Sequence, residues 1–354
     1  MKIKVHSSEI NRMMKIVTQC IDPRFQERGS IELIYDNNLL SVRGTNGQIS
    51  AVVSTPILGG TGEVFCVDGN MFARVCSMCN GEIEISTDDK NCIVKGAGRT
   101  RIPLLKSSIP TYKHVDGKSA FILADDITKC YKGISYAISE DQNRPQLTGV
   151  LTEITDNVVN LVALDGFQMS TETAGCSGDD MKITIPGVFM KLIVQGAAPG
   201  EKVKINTDGQ RVEAITDGMM LTGGLLVGDY PDYKKILPKE FSTECLVKVD
   251  ELRDALKCGS VINNKQNLIK MYIESDHIKI MSNSEEADYE ADIHCDTHGN
   301  TLTIAFNQKY LMNTINAITT EEAIMKFNNS VSPCVVHGKN DDGIRLLLPV
   351  RIMG

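Results

Sequence analysis

The sequence contains no tryptophan, and aromatic residues make up only 5% of it. No apolar run approaches the ~20 residues that a membrane-crossing helix needs. The opening Met-Lys-Ile-Lys-Val-His-Ser-Ser-Glu alternates and then turns polar, without the apolar core of an export signal, so secretion is not expected. Cysteine is present, but its 11 copies are scattered and odd in number. They form no dense disulfide framework and read as reduced thiols of a cytoplasmic protein. Catalytic signatures are also missing. Neither G-x-S-x-G nor H-E-x-x-H occurs, and Gly59-Gly60-Thr61-Gly62 and Gly196-Ala197-Ala198-Pro199-Gly200 lack the Lys-Ser/Thr of a phosphate loop, so both read as turns. With 45 acidic against 37 basic residues, the net charge is −8. That balance excludes a chain coated in cations, though not a local basic surface.

What remains is the composition of a globular protein. Apolar residues are 42% of a 354-residue chain, which excludes disorder and predicts two or three domains. One pattern recurs: a short alternating strand, a polar residue able to cap, and an amphipathic helix. Lys2–Val5 lead to Ser7 or Ser8 and a stripe of Ile10, Met13, Met14 and Val17. Phe121–Leu123 lead to Asp125 and a stripe of Ile127, Cys130, Tyr131 and Ile134. Leu246–Val249 lead to Asp250 and a stripe of Leu252, Ala255, Leu256 and Gly259. Each stripe is one face of a helix, and each cap would offer an oxygen to the first turn. A second helix recurs in step: Phe72, Val75, Cys76 and Cys79; Phe189, Leu192, Ile193 and Gly196; Leu311, Thr314, Ile315 and Ile318. Ile10 to Ile127 and Phe72 to Phe189 are both 117 residues, and the next intervals are 125 and 122.

Alternating segments lie between the helices at Leu39–Val42, Ile93–Lys95, Val158–Leu164, Val203–Ile205, Ile278–Met281 and Cys334–His337. Turn residues separate them at Asp36-Asn37-Asn38, Asp208-Gly209 and Asp341-Asp342-Gly343. The reading is α+β: three tandem similar domains at 1–117, 118–240 and 241–354, each antiparallel sheet with two helices. Three unrelated domains with ordinary amphipathic helices are the alternative.

Cations occupy the polar faces of the six helices: Arg12, Lys15, Arg74, Lys129, Lys132, Lys191, Arg253, Lys257 and Lys309. Acids fall in first turns (Glu9, Asp125, Asp126, Asp250, Glu251), where they suit the helix dipole; beyond them only Asp254 stands out. Helices lining one surface would make it electropositive and attractive to phosphates without reading bases. Ordinary solvated helix faces are the alternative. No aromatic ladder accompanies the cations, which favours a duplex over a single strand.

Three signals could instead mean catalysis. Cys76-Ser-Met-Cys79 is a C-x-x-C, but it has no second pair and both sulfurs fall on the apolar stripe of a helix. His294-Cys295-Asp296-Thr297-His298 brings ligand types together in a segment of strand and turn, which leaves a metal-dependent hydrolase as a rival. Asp165 and Asp232 show no carboxylate-pair spacing and suit turn roles.

Several segments together resemble bacterial sliding clamps, the beta subunit of DNA polymerase III. Gly228-Asp-Tyr-Pro-Asp-Tyr-Lys-Lys-Ile-Leu-Pro238 resembles the family's G-x-[YF]-P-D-Y-x-x-[VI]-[LI]-P. The stretch from Ser139 through Arg144 and Leu147 to Val150 resembles R-x-x-L-x-G-[VM]. Leu161 to Met169 resembles V-A-T-D-x-x-R-L, Gly98 to Ile102 resembles S-G-R-S-R-F, and Leu346 to Ile352 resembles V-M-P-M-R-L. The match runs the whole chain. It implies a non-catalytic processivity factor of the replicative polymerase without cofactor or membrane attachment. Two copies would join head to tail as a ring around duplex DNA.

The resemblance also implies site residues. A pocket for linear peptides of polymerase, clamp loader and repair proteins would use Leu147, Leu164, Gly166, Phe167, Gln168, Met169, Pro231, Lys235, Ile236, Leu346, Leu348, Pro349, Val350 and Arg351. Loops touching DNA would add Arg24, Gln142, Arg144 and Gln146. The ring joint would use Ile102 and Leu104 against Val261 and Ile262. A clamp-like peptide-binding module without ring closure is the other reading. Leu164 stands where the family usually has Thr, and Phe167-Gln168 where it often has His-Arg, which removes a forked donor.

Overall fold

Among the described residues, a strand runs straight into a helix six times. Lys2–His6 enters Ser7–Val17, Glu63–Asp68 enters Gly69–Ser77, and Lys118–Leu123 enters Ala124–Ile134. Met181–Pro186 enters Gly187–Gly196, Thr243–Lys248 enters Val249–Gly259, and Leu302–Asn307 enters Gln308–Asn316. The computed structural model describes residues 2–57, 59, 62–96, 98–110, 113–262 and 267–351, apart from the side chain of Gln26. Part of the glycine-rich turn expected at 59–62 therefore lies outside the described residues.

Burial of one stripe holds each helix down. Ile10, Met13, Met14 and Val17 are buried, as are Leu252, Ala255, Leu256 and Gly259. Full burial of one such aliphatic side chain contributes about 1.5–3 kcal/mol. Two stripes end differently from expectation. The Gly69–Ser77 helix stops before Cys79, so Phe72 and Cys76 carry its buried face while Val75 and Cys79 are half-buried. Ile318 lies beyond the end of its helix but stays buried.

The expected caps are also corrected. Ser7 already belongs to the first helix, and the His6 ring accepts the Ser8 N–H. Asp125 and Asp250 sit inside their first turns because Ala124 and Val249 begin those helices. A strand feeding a helix with no intervening loop shifts the start by one residue. Asp125 instead accepts the Gly200 N–H at 2.9 Å, and Asp250 pairs with Arg253. Asp68 and Asn307 cap the second-type helices through Met71 N–H and through Lys309 and Tyr310 N–H.

The chain divides into two compact units. One comprises residues up to Ile127 and Gly175–Leu225. Its Lys2–His6, Glu82–Thr87, Asn91–Lys95 and Arg99–Pro103 strands form an antiparallel sheet in which Arg99–Pro103 is an edge. A second antiparallel run includes Ser30–Asp36, Leu39–Thr45, Ile49–Pro56, Met219–Gly224, Arg211–Thr216, Lys202–Thr207 and Lys118–Leu123. The Ser7–Val17 helix packs against Gly69–Ser77 and Gly187–Gly196, and Gln19 donates to Gln195 at 2.7 Å.

The other unit comprises Thr128–Ala174 and Leu226 onward. Ile344–Leu347 pairs with both Gln168–Thr171 and Cys334–Val336. Glu322–Phe327, Thr243–Lys248, Asp288–Gly299, His277–Asn283 and Leu268–Ile273 continue the antiparallel ladder. Its core includes Leu252, Leu256, Phe306, Leu311, Ile315 and Leu347.

Turn chemistry sets the hairpins. Asn37 and Asn38 have φ of 51° and 62°, the left-handed pair of a two-residue hairpin turn, and Asp156 and Asn157 repeat it at 53° and 61°. Gly178 and Gly299 end long strands at positive φ, where an added Cβ would run into the carbonyl oxygens of Ser119 and Ser242. Gly299→Ala is expected to cost about 2 kcal/mol or more in urea denaturation, from backbone strain plus collision. Gly200→Ala, with φ +79 but open space, should cost only about 1 kcal/mol.

Candidate functional site

Strand alternation builds the site. In the unit containing Leu226 onward, Leu346 faces Met169 on one neighbouring strand and Val335 on the other. Leu346 enters a buried cluster with Leu147, Leu151, Val162, Leu164, Met169, Tyr233 and Val335, while Leu347 enters the unit's other core. One four-residue strand therefore feeds two cores from opposite faces.

Other residues assigned to the pocket are exposed or half-buried. Phe167 is 56% and Leu348 36% exposed, and Ile236 and Val350 are also exposed. Pro231 and Pro349 are half-buried, while Gly166, Lys235 and Arg351 are exposed. Leu348 N–H donates to Phe167 O at 2.9 Å. The Phe167 ring stacks on Tyr310 with centroids 5.6 Å apart. The turn that presents Phe167 is held by Asp165, whose carboxylate accepts the backbone N–H groups of Phe167 (2.7 Å) and Gln168 (2.9 Å). Gly166 supplies the positive φ, and the Arg144 guanidinium stands 3.5 Å from where its Cβ would lie.

The expected pocket residues thus separate into a buried set, a candidate floor, and an exposed set, a candidate rim. Leu147, Leu164, Met169 and Leu346 are buried floor. Gln168 turns inward, donating to Asp165 at 2.9 Å and to Tyr136 O at 3.1 Å, so its amide supports the turn. Lys235 pairs with Asp232 at 3.0 Å. Sequence reasoning missed Tyr233 in the floor and Tyr230, Phe241 and Tyr310 beside it. The two tyrosines of the Gly228–Pro238 segment were visible as a motif, but only packing turns them inward. Tyr233 donates to Glu153 at 2.8 Å and accepts from Asn160 at 2.6 Å.

A buried ionic cluster lies on the opposite face of the same strand. Arg345 is 1% exposed. Its guanidinium donates to Asp341 (3.1 Å), Gly343 O (2.9 Å), Ala317 O (3.3 Å) and Glu172. Burial pushes the Glu172 carboxyl up to about 7, against the pull of Arg345.

The candidate DNA-facing cations divide by pairing. Arg12 pairs with Glu9 (3.2 Å), Arg24 with Asp22 (2.8 Å), and Arg253 with Asp250. Among the described residues, Lys15, Arg74, Lys191, Lys129, Lys132, Lys257, Lys309 and Arg144 form no intrachain ion pair; all eight are exposed. Gln142 is exposed and Gln146 half-buried. Of the residues assigned to a ring joint, Ile102 is only 1% exposed and points into its own core. Arg99, Thr100, Arg101 and Pro103 are the exposed part of that edge, with Leu104 half-buried beside it. Val261 is 79% exposed and Ile262 half-buried.

Residues 122–232 match the model of the DNA polymerase III beta subunit central domain, and residues 234–351 match that of its C-terminal domain. The chain belongs to the DNA polymerase III beta subunit family. Among its relatives, the beta sliding clamp of Pseudomonas aeruginosa is 25% identical over 339 residues, covering 91% of this chain and 92% of that one. The beta sliding clamp of Bacillus subtilis is 22% identical over 351 residues, covering 91% of each. The fold is that of the Thermotoga maritima DNA polymerase III beta subunit (TM-score 0.92, 20% identity, 99% of this chain and 100% of that one). It is also that of a Pseudomonas aeruginosa sliding clamp bound to griselimycin (TM-score 0.93, 21% identity, 99% and 100%).

The signals for other chemistry dissolve in the geometry. His294, Cys295 and His298 lie on one strand, Asp288–Gly299, where alternation buries Cys295 and exposes both histidines. The thiol therefore points to the opposite face. Among the described residues, no group of three or more His, Cys, Asp or Glu is placed to hold a metal ion. Burial raises the Cys76 thiol to about 12, far from a reactive thiolate. No described helix is long and apolar enough to cross a membrane.

Glu172 gives the fold a pH signature. Its folded value lies above its ordinary 4.5, so the folded state holds the proton more tightly. Its contribution to stability is complete below about 4.5 and is lost as pH rises through about 7. Urea denaturation of the wild type and Glu172→Gln at pH 5 and 8 should show the steeper decline with pH in the wild type.

Proposed function

We propose that this chain is a sliding clamp: a non-catalytic processivity factor that encircles duplex DNA and docks linear peptides of polymerase, clamp loader and repair proteins. The observation that carries the reading is the joined match over residues 122–351, which contains the apolar floor and its exposed rim. Its domains would be 1–117, 118–240 and 241–354. Two copies would close head to tail, with Arg99–Pro103 as one edge and the exposed Val261 with Ile262 as the other. The protein would work in the cytoplasm.

The physics of such a ring favours weak contacts. Enclosure keeps the ring on DNA, so each phosphate contact can break as the ring moves. Lys15, Arg74, Lys129, Lys132, Lys191, Lys257 and Lys309 are the helix cations without an intrachain partner among the described residues. Arg12, Arg24 and Arg253 would exchange a carboxylate for a phosphate, and Arg144, Gln142 and Gln146 would contribute from their loop. Such contacts are sequence-independent and weaken with salt. Surplus acid elsewhere repels DNA from the wrong surface.

Peptide docking follows from floor and rim. Leu147, Leu164, Met169 and Leu346 make an apolar base, and Phe167, Ile236, Leu348 and Val350 add accessible apolar area. Phe167 and the inward Gln168 replace the family's frequent His-Arg, so apolar anchors would dominate recognition here. Leu348→Lys is expected to weaken a Gln-Leu-x-Leu-Phe-type peptide at least ~30-fold, about 2 kcal/mol at a central anchor, with the dimer intact in native mass spectrometry. Unchanged affinity would remove the pocket assignment. Loaded on nicked circular DNA, the protein should stay bound and leave when the circle is linearised; release from both alike would reduce it to a peptide-binding module.

A further inference from the structure

We propose that Arg345 is a positioning residue for peptide docking, acting by setting the register of the strand that supplies the pocket's C-terminal wall. The inference rests on the reading of this surface as a peptide dock. The strand Ile344–Leu347 is four residues long, yet it must place Leu346 in the floor and carry Leu348 to the rim. A slip of one residue would send every side chain to the wrong face. So short a strand has few backbone bonds with which to resist slipping, even though it is paired along both edges.

Arg345 supplies the missing constraint. It lies on the face away from the floor, so it cannot touch a docked peptide. Its guanidinium reaches the strand partner through Glu172, the preceding turn through Asp341 and Gly343 O, and the end of the Gln308–Asn316 helix through Ala317 O. Glu172 is in turn enclosed by Gly133, where any Cβ would collide with its carboxylate. A slipped strand would carry the guanidinium away from Glu172 and Ala317 O, the two acceptors on other segments, and leave a buried cation short of partners. A buried ion pair is a weak source of net stability, because desolvation offsets attraction; fixing register is its best-attested use.

The test separates register from stability. Wild type, Arg345→Met and the double variant Glu172→Met/Arg345→Met would be titrated with a fluorescein-labelled Gln-Leu-Asp-Leu-Phe peptide, with circular dichroism confirming the folded state. The double variant, which leaves no charge at either buried position and only the half-buried Asp341 carboxylate without its cation, is expected to melt within a few degrees of wild type yet bind at least tenfold more weakly. Binding within twofold of wild type in a folded double variant would overturn the proposal. If neither variant folds, Glu172→Gln takes its place: it removes the charge partner while keeping an acceptor, and should weaken binding threefold or more, with no change overturning the proposal. Failure of the wild type itself to bind would instead overturn the peptide-dock reading.

Discussion

Strand Ile344–Leu347 must satisfy hydrogen bonds along both edges and bury side chains on both faces. Met169 and Val335 flank Leu346 in the ladder, and Leu347 enters a different core from Leu346. A short segment under that much constraint is where the candidate site is built. Its floor is the sheet's apolar face, and its rim is the chain leaving that sheet at Leu348–Arg351. The buried Arg345–Glu172 pair occupies the remaining face. Hydrophobic burial, which is non-directional, needs such a directional partner to choose one register among several.

The electrostatics show a comparable division of labour. Acids in first turns either cap neighbouring backbone, as Asp125 does for Gly200, or pair with a cation one turn on, as Glu9 does with Arg12 and Asp250 with Arg253. Those exposed pairs are worth little to stability, so they can open without threatening the fold. The lysines on the same faces have no competing carboxylate partner among the described residues. An acidic chain can in this way present mobile positive charge to a polyanion.

Much of the architecture was legible because both its periods are local. The helical stripes of Ile10–Val17 and Leu252–Gly259 could be read from residues three and four apart, and Val158–Leu164 forms a strand with those bounds. Caps were harder to read. Whether Asp125 precedes a helix or sits in its first turn depends on where the preceding strand ends, which pairing with Lys202–Thr207 decides. The site was legible in composition and obscure in orientation. Gln168 and Phe167 are adjacent in a resembling motif, yet one is buried against Asp165 and the other stacks on Tyr310.

The sequence alone determined the α+β class, the recurring strand-to-helix step, the family resemblance and the pool of apolar and cationic candidates, since each is carried by near neighbours along the chain. Tertiary structure decided which candidates are buried and which are exposed, that Ile102 is core, that His294, Cys295 and His298 do not converge, and that Arg345 meets Glu172 across 173 positions. Those outcomes depend on which strand lies beside which. Pairing between distant segments is chosen by the burial of the whole sheet, a quantity that no local window contains.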